Sequence, residues 1–333
     1  MLQRVRTKLQ GAIAGSIGLA VLTAAMSLPA SAQEYPSKTI RIVVNSSAGA
    51  TVDFLGRVFA QKLQERTGQS VVIENKVGAA GAIGADTVVK SDPDGYTLLV
   101  SGSPAIITMP LVNPKISYSP NDLAPVALFG SSPTVLLVRK DLPAKSIKDL
   151  VAMAKAKPKT LTYASGGLAS TGDMATRQFA LMTGIDLIHV PYNGSAPALN
   201  AILGDQVDML YDTLRANLVE LVKDGKLRAL GVVADTRIAA LPDVPTMAEA
   251  GVENIQSAFW VALFAPAKTP PKVIDYLNKQ AVEIFNMPDV RAQLDREYLV
   301  LRTGSPADVK KLEDEQIAHW GDIVRRINLK ISN

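Results

Sequence analysis

The chain has 333 residues, of which 47% are hydrophobic and 20% charged, a composition that excludes bulk disorder. It has no cysteine and only two histidines, far apart in sequence, which excludes disulfides, thiol catalysis and metal sites built on cysteine or clustered histidine. The net charge of +4 falls to +1 without Arg4, Arg6 and Lys8, and no basic run follows them, so we expect no nucleic-acid partner.

The first 32 residues have the order of parts found in a secretory signal peptide. Three basic residues come first, an apolar stretch centred on Ile17–Met26 follows, and Ala30-Ser31-Ala32 forms an A-x-A cleavage site. The apolar core is about ten residues long, which is short for a membrane span, so we favour cleavage after Ala32 over an uncleaved anchor. We therefore expect a soluble protein exported to the periplasm.

Short β-branched runs alternate with helical patterns along the rest of the chain. The predicted strands are Ile40–Asn45, Ser70–Glu74, Thr97–Ser101, Thr134–Arg139, Leu161–Ala164, Leu187–Val190, Val207–Tyr211, Leu227–Val233 and Ala258–Phe264. The predicted helices are Thr51–Arg66, Ser146–Lys157, Gly172–Thr183, Gly194–Leu203, Leu214–Lys223, Pro270–Asn286, Pro288–Leu294 and Pro306–Ile327. This alternation is typical of an α/β fold, and the length suffices for about two domains of roughly 150 residues.

Two predicted strand-to-helix loops are hydroxyl-rich and contain glycine, one over residues 45–51 and the other over residues 163–171. In open α/β sheets, ligands bind outside the carboxyl ends of the strands, where helix N-termini offer free N–H groups to an anion. The two loops together therefore predict opposed sides of an anion site. For either loop alone, glycine and serine are equally expected to form tight turns and helix caps.

Several ordered stretches carry a family resemblance over nearly the whole chain after residue 32. They are Tyr35–Lys38, Gly49 with Asp53, Val72–Gly81, Pro93–Leu99, His189–Ala198, Lys226–Leu230 and Leu241–Thr246. In these stretches the chain resembles the substrate-binding proteins of tripartite tricarboxylate transporters, the Bug/TctC-type family. The resemblance implies the fold of a type II periplasmic binding protein, with two α/β domains, mixed and largely parallel sheets flanked by helices, and a ligand cleft between the domains.

The resemblance also implies where the chain passes between the two domains. We expect the crossings near Ser131–Thr134 and Gln256–Phe259. Domain 1 is then discontinuous and comprises residues 33–130 and 258–333, and domain 2 comprises residues 131–257.

The chemistry implied by the resemblance is capture of one carboxylate between the two opposed loops, through N–H groups, hydroxyls and bridging waters. The ligand-binding residues carried over are Ser46, Ser47, Ala48, Gly49, Ala50, Ser101, Ser103, Ser165, Gly166, Ser170, Thr171, Tyr192 and Asp212. Tyr192 is equally expected to pack at a strand end, and Asp212 to cap a helix. We expect no catalytic residue, no metal and no cofactor.

Three positions depart from the family's pattern. Asn45 occupies a position that is usually proline, and Ala50 replaces the second of two glycines, which limits how closely a ligand approaches the main chain. Asp173 replaces a histidine found in many relatives. We favour a helix-capping role for Asp173, paired with Ser170, over a role as acceptor for a donor group on the ligand.

The leading hypothesis is a monomeric periplasmic protein that captures a small organic carboxylate by hinge closure and delivers it to the membrane subunits of a tripartite transporter. Aliphatic di- or tricarboxylates, amino acids and aromatic carboxylates all remain open as ligands. One alternative is a periplasmic receptor that signals to a partner protein. A less favoured alternative is a serine ester hydrolase, with Ser103 or Ser165 as nucleophile and His189 as base.

Overall fold

The computed structural model describes residues 35–256 and 259–331. The predicted signal peptide and its cleavage site after Ala32 lie outside these residues. Within them, every helix is too short or too polar to cross a membrane.

Two β-sheets organise the described chain. The strands are β1 (Ile40–Val44), β2 (Val71–Asn75), β3 (Thr97–Gly102), β4 (Leu123–Ser131), β5 (Thr134–Arg139), β6 (Thr162–Ser165), β7 (Ile188–Pro191), β8 (Met209–Thr213), β9 (Leu227–Val233), β10 (Trp260–Pro266) and β11 (Val300–Leu301). The first sheet has the order β11-β4-β10-β3-β1-β2 and the second the order β7-β6-β8-β5-β9. The sequence analysis thus places strands in both sheets correctly, but it does not predict β4 or β11.

The strand directions are mixed in both sheets. Strand β1 runs parallel to β2 and β3, and β6 runs parallel to β7 and β8. Every pairing of β4, β5, β10 and β11 is antiparallel. The sheets contain more antiparallel strand pairs than the expected, largely parallel arrangement would. The reason is that β4, β5 and β10, the strands next to the crossings, are antiparallel to all their neighbours.

Helices cover both sheets. They are α1 (Thr51–Thr67), α2 (Ala82–Val89), α3 (Ser103–Ile106), α4 (Thr108–Val112), α5 (Ile147–Ala156), α6 (Thr171–Thr183), α7 (Ser195–Leu203), α8 (Ala216–Lys223), α9 (Pro271–Phe285), α10 (Pro288–Arg296) and α11 (Pro306–Arg326), with 3-10 turns at Ala79–Gly81 and Pro120–Asp122. Proline begins α9, α10 and α11, where its missing N–H costs no helical hydrogen bond.

Helix α1 shows how the helical pattern produces the packing. Leu55, Phe59 and Leu63 recur at four-residue spacing and are fully buried. The ring of Phe59 lies 5.1 Å from that of Phe129 in β4 and 6.4 Å from that of Phe285 in α9. Burial of each such side chain contributes about 1.5–3 kcal/mol, so this cluster fixes α1, and the loop before it, against the first sheet.

The chain passes from the first sheet to the second between β4 and β5 and returns to the first sheet between β9 and β10. Strand β4 of the first sheet ends at Ser131 and β5 of the second begins at Thr134. The N–H of Ser132 donates to the carbonyl of Phe259, at 3.3 Å, and Phe259 directly precedes β10. The two crossing segments therefore lie side by side. The domain boundaries at 130/131 and 257/258 stay a prediction.

Candidate functional site

A cavity of about 980 Å³ opens beyond the carboxyl ends of β1, β6 and β8, and residues from both sheets line it. Residues 45–50, here called loop 1, join β1 to α1, and residues 166–170, called loop 2, join β6 to α6. Both loops line the cavity. The two sequence motifs that predict an anion site thus meet in one space.

Ten of the thirteen predicted site residues line this cavity. They are Ser46, Ser47, Ala48, Gly49, Ala50, Gly166, Ser170, Thr171, Tyr192 and Asp212. Whether these residues contact a ligand stays a prediction, but all ten border the same cavity, as a shared binding site requires.

Ser101, Ser103 and Ser165 do not line the cavity, contrary to expectation. Ser101 is fully buried, where its hydroxyl accepts a hydrogen bond from Asn45 Nδ2 at 2.7 Å. Ser103 is 1% exposed at the start of α3. Successive side chains of a strand point to opposite faces, so the end of β3 turns Ser101 inward while the next residue, Gly102, borders the cavity.

The loops present main-chain donors to the cavity. Within residues 35–256 and 259–331, no protein acceptor is bonded to five N–H groups of loops 1 and 2, those of Ser46, Ser47, Ala48, Gly166 and Leu168, which all line the cavity. Main-chain donors seldom remain unpaired in folded proteins unless water or a ligand bonds them. These five are therefore available to bond water or a solute in the cavity.

Asp53 fixes the shape of loop 1. Its Oδ2 accepts the N–H of Gly49 at 2.9 Å and Nε of Arg57 at 2.8 Å, and its Oδ1 accepts Nδ2 of Asn75 at 2.7 Å. Burial raises the pKa of Asp53, but the hydrogen bonds from Arg57, Asn75 and Gly49 outweigh it and hold the pKa below its ordinary value. The carboxylate is therefore ionised at neutral pH and anchors the left-handed turn at Gly49, whose φ is +79°.

Asp173 fixes the shape of loop 2 in the same manner. Its Oδ2 accepts the N–H of Ala169 at 2.9 Å, and its Oδ1 accepts Tyr163 Oη at 2.8 Å and Arg177 Nε at 2.7 Å. Ser170 Oγ accepts the N–H of Asp173 at 3.4 Å, so the predicted cap of α6 is present. The carboxylate of Asp173 in turn accepts the N–H of Ala169, one residue before the capping residue Ser170. It is fully buried and does not line the cavity, which rules out a direct acceptor role for it in this arrangement.

Ser165, His189 and Asp173 lie in an order that resembles a hydrolytic triad. Ser165 Oγ is 2.7 Å from His189 Nε2, and His189 Nδ1 is 3.6 Å from Asp173 Oδ1. Burial lowers the pKa of His189, the charge of Asp173 raises it and that of Arg177 lowers it, and the net shift is downward. Ser165, however, is fully buried and does not line the cavity, so its hydroxyl cannot reach a solute there. The three side chains instead stabilise loop 2, since Ser165 and Asp173 both accept main-chain N–H groups of that loop.

Sequence analysis missed the one cation among the described residues that line the cavity, Arg215. Its Nη2 donates to Asp212 Oδ2 at 2.9 Å and its Nη1 to the carbonyl of Thr213 at 3.2 Å. The other oxygen of Asp212 accepts the N–H of Thr213 at 2.8 Å. Asp212 thus lines the cavity with both oxygens bonded to protein donors, and it holds the guanidinium in place.

Asn45 also adds polarity to the wall. Its Nδ2 donates to Gly81 O at 3.2 Å and to Ser101 Oγ at 2.7 Å, and the residue lines the cavity. The other amides that sequence analysis missed are Asn113, Asn193, Asn200 and Asn217. Asn113 and Asn193 lie outside the helices, Asn217 is the second residue of α8, and Asn200 is a polar residue inside α7, so no common local pattern predicts that they line the cavity.

Residues that could hold a metal are not grouped at the site. Within the described part of the chain, no set of three or more His, Asp or Glu side chains is arranged to hold a metal ion.

Two α/β halves joined by paired crossing segments, with a donor-lined cavity at their strand ends, define the class of two-domain periplasmic binding proteins. The chain belongs to one family of this class: residues 55–329 match the model described as "Tripartite tricarboxylate transporter family receptor", TctC. The predicted Bug/TctC-type family is thus confirmed.

Individual relatives agree with this family. The chain is 35% identical to Protein BugT of Bordetella pertussis (strain Tohama I), over 95% of this chain and 97% of that protein. Among solved structures, it is 33% identical to Rpa4515 of R. palustris with adipate, with a TM-score of 0.84 over 89% of this chain and 99% of that one. It is 31% identical to MatC of Rhodopseudomonas palustris with bound malate, with a TM-score of 0.81 over 87% and 100%.

Membership of a receptor family also decides between binding and catalysis. The protein is a solute-binding protein of the TctC/Bug type and not an enzyme, as expected. The serine hydrolase hypothesis is wrong, in agreement with the burial of Ser165 and Ser103.

Proposed function

We propose that this protein captures a small organic carboxylate, one carboxylate group of which binds between loop 1 and loop 2. The five N–H groups without a protein acceptor, which belong to residues of both loops that line a single cavity, carry this proposal. Helices α1 and α6 start directly after these loops and direct their N-termini toward the same space. Such helix ends favour an anion by about 0.3–1 kcal/mol per charge when exposed, and more when buried.

Hydroxyl groups complete the proposed carboxylate site. Ser47, Ser170 and Thr171 line the cavity next to the free N–H groups, and each hydroxyl can donate one further hydrogen bond. The proposed contacts are therefore neutral donors arranged around one charge. Adipate in Rpa4515 and malate in MatC, both carboxylates, support the assignment of the ligand class.

We place the cleft between two domains, residues 33–130 with 258–333 and residues 131–257, that close on the ligand. The paired crossing segments at Ser132 and Phe259 are the proposed hinge. Closure would surround the carboxylate with donors from both loops and exclude water, which strengthens each hydrogen bond.

The remaining parts of the proposed function concern location and partners. The signal-like order of residues 1–32 and the family's description support export to the periplasm, with cleavage after Ala32, and delivery of the ligand to the membrane subunits of a tripartite transporter. A carboxylate-binding protein of this kind would act as a monomer and need no cofactor.

Binding of stripped protein to carboxylates tests the proposal. Residues 33–333 are unfolded to remove bound ligand, refolded, and titrated with a carboxylate panel by calorimetry and thermal shift. A ligand at about 100 times its Kd should stabilise the protein by about 2.7 kcal/mol. Ser47→Ala combined with Ser170→Ala should weaken binding, whereas Ser70→Ala, at an exposed position outside the cavity, should not. A folded protein that binds no carboxylate would refute the proposal.

A further inference from the structure

Gln178 lies where three parts of the chain meet. The residue is 1% exposed and belongs to α6, which packs on β8 of the second sheet. Its Nε2 is 3.2 Å from Nε2 of His319 in α11, a helix that packs on β4 of the first sheet. Its Oε1 accepts the N–H of Gln256, at 3.3 Å, in the segment that leads to the second crossing. One buried amide therefore joins elements of both sheets.

These contacts fix the direction of the amide. A main-chain N–H can only donate, so the atom of Gln178 that faces Gln256 must be the carbonyl oxygen. The NH2 group of Gln178 then faces His319, and it too can only donate. Nε2 of His319 must therefore be an unprotonated acceptor, which leaves the proton of the neutral ring on Nδ1.

Protonation of His319 is incompatible with this arrangement. A proton on Nε2 would place two donors against each other across the 3.2 Å contact. Rotation of the amide by 180° offers no remedy, because it would turn the NH2 group of Gln178 toward the N–H of Gln256. The buried amide therefore keeps both of its partners only while His319 is neutral.

The charges on α11 leave His319 with a reduced tendency to bind a proton. Burial lowers the pKa of His319, the charge of Asp322 raises it, and the net shift is downward. Asp322 lies on the same helix and also pairs with Arg325. The ring of Trp320, the next residue, lies edge-on at 5.1 Å and carries no charge. The neutral form that the contact requires is thus the one that the surroundings favour.

The elements packed against α11 add no second titrating group to the contact. Helix α4 and strand β4, which also pack on α11, contain no titratable side chain. On α6, the charge next to Gln178 is that of Arg177, and its Nε donates to Asp173. In the segment before the second crossing, Glu253 is exposed. The titratable group at the contact is therefore His319.

A second contact between the same parts of the chain does not titrate. Thr108 Oγ1, in α4, donates to the carbonyl of Ala169 in loop 2 at 2.7 Å. Ala169 and Met174 also belong to the buried apolar cluster that contains Trp260 and Trp320. Loop 2 and the start of α6 thus keep some of their packing when His319 binds a proton, so we expect its protonation to loosen this interface without separating it.

We infer that Gln178 and neutral His319 form a pH-sensitive contact between α6 and α11, and that protonation of His319 releases it. Loop 2 directly precedes α6, so the contact also restrains where loop 2 lies relative to loop 1 across the cavity. The device requires no particular ligand and therefore goes beyond the proposed function. The contact is intact at neutral pH and is lost in acid.

Nitrogen-15 NMR of ligand-free protein with labelled histidine tests the contact directly. The chain has only two histidines, and His319→Gln identifies the His319 signals by their loss. We expect a neutral ring with its proton on Nδ1 at pH 7.5, and a pKa below the ordinary value of about 6.5. A proton on Nε2 at pH 7.5, or a pKa at or above the ordinary value, would overturn the inference without requiring any variant to fold.

Gln178→Glu should reverse the preference of His319. The carboxylate still accepts the N–H of Gln256, but it places an acceptor where the NH2 group was. We therefore expect the proton on Nε2 and a pKa of His319 raised by about one pH unit or more. The control Gln206→Glu adds the same charge at an exposed position between α7 and β8, where salt screens it, and should shift that pKa by less than about 0.3. Equal effects of the two variants would contradict a direct contact.

Spin-label distances test whether the contact restrains α6. The chain has no cysteine, so Met182→Cys in α6 and Lys311→Cys in α11, both exposed, carry the only two labels. Ligand-free protein is measured at one pH above and one pH below the pKa found for His319. The distance distribution should be narrow at the higher pH and broader or longer at the lower one. His319→Gln keeps an acceptor that does not titrate, and should give the same narrow distribution at both.

The opposite results overturn the inference. Identical distributions at the two pH values in otherwise unsubstituted protein would show that protonation of His319 releases nothing. A His319 that stays neutral until the protein unfolds in acid would exclude a switch, and an equal pH effect in folded His319→Gln would assign the change to another group. None of these measurements uses a carboxylate, so their failure leaves the proposed function untouched.

Discussion

Asp53 and Asp173 occupy equivalent places in the two halves of the site: each accepts, at 2.9 Å, the N–H of the residue four positions earlier. That earlier residue has a positive φ in both loops, +79° at Gly49 and +60° at Ala169. Each aspartate also accepts Nε of an arginine one helical turn later, Arg57 or Arg177. The same three-part device, spaced i, i+4 and i+8, thus shapes both loops.

Removal of either aspartate should disturb its loop. Asp53→Ala and Asp173→Ala each leave a main-chain N–H and an arginine without their acceptor, which should lower the free energy of unfolding by about 1.5–3 kcal/mol and weaken carboxylate binding. Urea unfolding and calorimetry check both effects. Asp289→Ala removes an exposed ion pair with Lys62 and should cost at most about 1 kcal/mol. If the three variants behave alike, the two loops do not depend on their aspartates.

Stability should depend on pH through His189. Its pKa in the folded protein is lowered, chiefly by burial, so the unfolded chain binds more protons between that pKa and about 6.5. Acidification through this range therefore favours unfolding. Relative to His189→Gln, the unsubstituted protein should lose unfolding free energy as the pH falls from 7.5 toward 5, measured by urea unfolding. His319, whose pKa burial also lowers, is present in both proteins and cancels. If the difference in unfolding free energy between the two proteins does not change with pH, the pKa of His189 is not lowered in the folded protein.

Asn45 should stabilise the floor of the cavity. Asn45→Ala removes the donor that bonds Ser101 Oγ and the carbonyl of Gly81, so we expect a loss of about 1–3 kcal/mol in unfolding free energy. Asn121→Ala, at an exposed position whose side chain has no such bonds among the described residues, serves as the control and should change stability by less than about 0.5 kcal/mol. Equal stability of the two variants would show that the Asn45 bonds contribute little.

Ser165 should prove to be a structural residue. Its hydroxyl accepts the N–H of Gly167 at 3.1 Å and contacts His189, so Ser165→Ala should lower the free energy of unfolding by about 1–2 kcal/mol. Because Ser165 does not line the cavity, the same variant should reduce carboxylate affinity less than Ser170→Ala does. A larger loss of affinity for Ser165→Ala would place its hydroxyl in the site.

The pattern of strands and helices predicts most of the fold, and the failures have local causes. All nine predicted strands are present, with ends within two residues of the predicted ones. Strand β4 escapes prediction because Pro125 interrupts an apolar run that lacks alternation. A β-bulge opposite it, between Leu263 and Phe264, accommodates the proline.

The site was predictable at the level of loops but not at the level of every side chain. Small, hydroxyl-rich strand-to-helix loops indicate both sides of the anion site directly. Arg215 was missed because the predicted helix Leu214–Lys223 includes it, whereas α8 begins at Ala216 and leaves Arg215 extended, with φ of −156°. That difference of two residues, within the ordinary uncertainty of a helix end, decides whether the arginine belongs to a helix face or to the cavity.

The most direct test of the central claim is a crystal structure of residues 33–333 with the carboxylate that binds most tightly. The account predicts one carboxylate within hydrogen-bonding distance, directly or through one water, of N–H groups in both Ser46–Ala48 and Gly166–Leu168. A ligand with no carboxylate near loops 1 and 2 would contradict the proposed function.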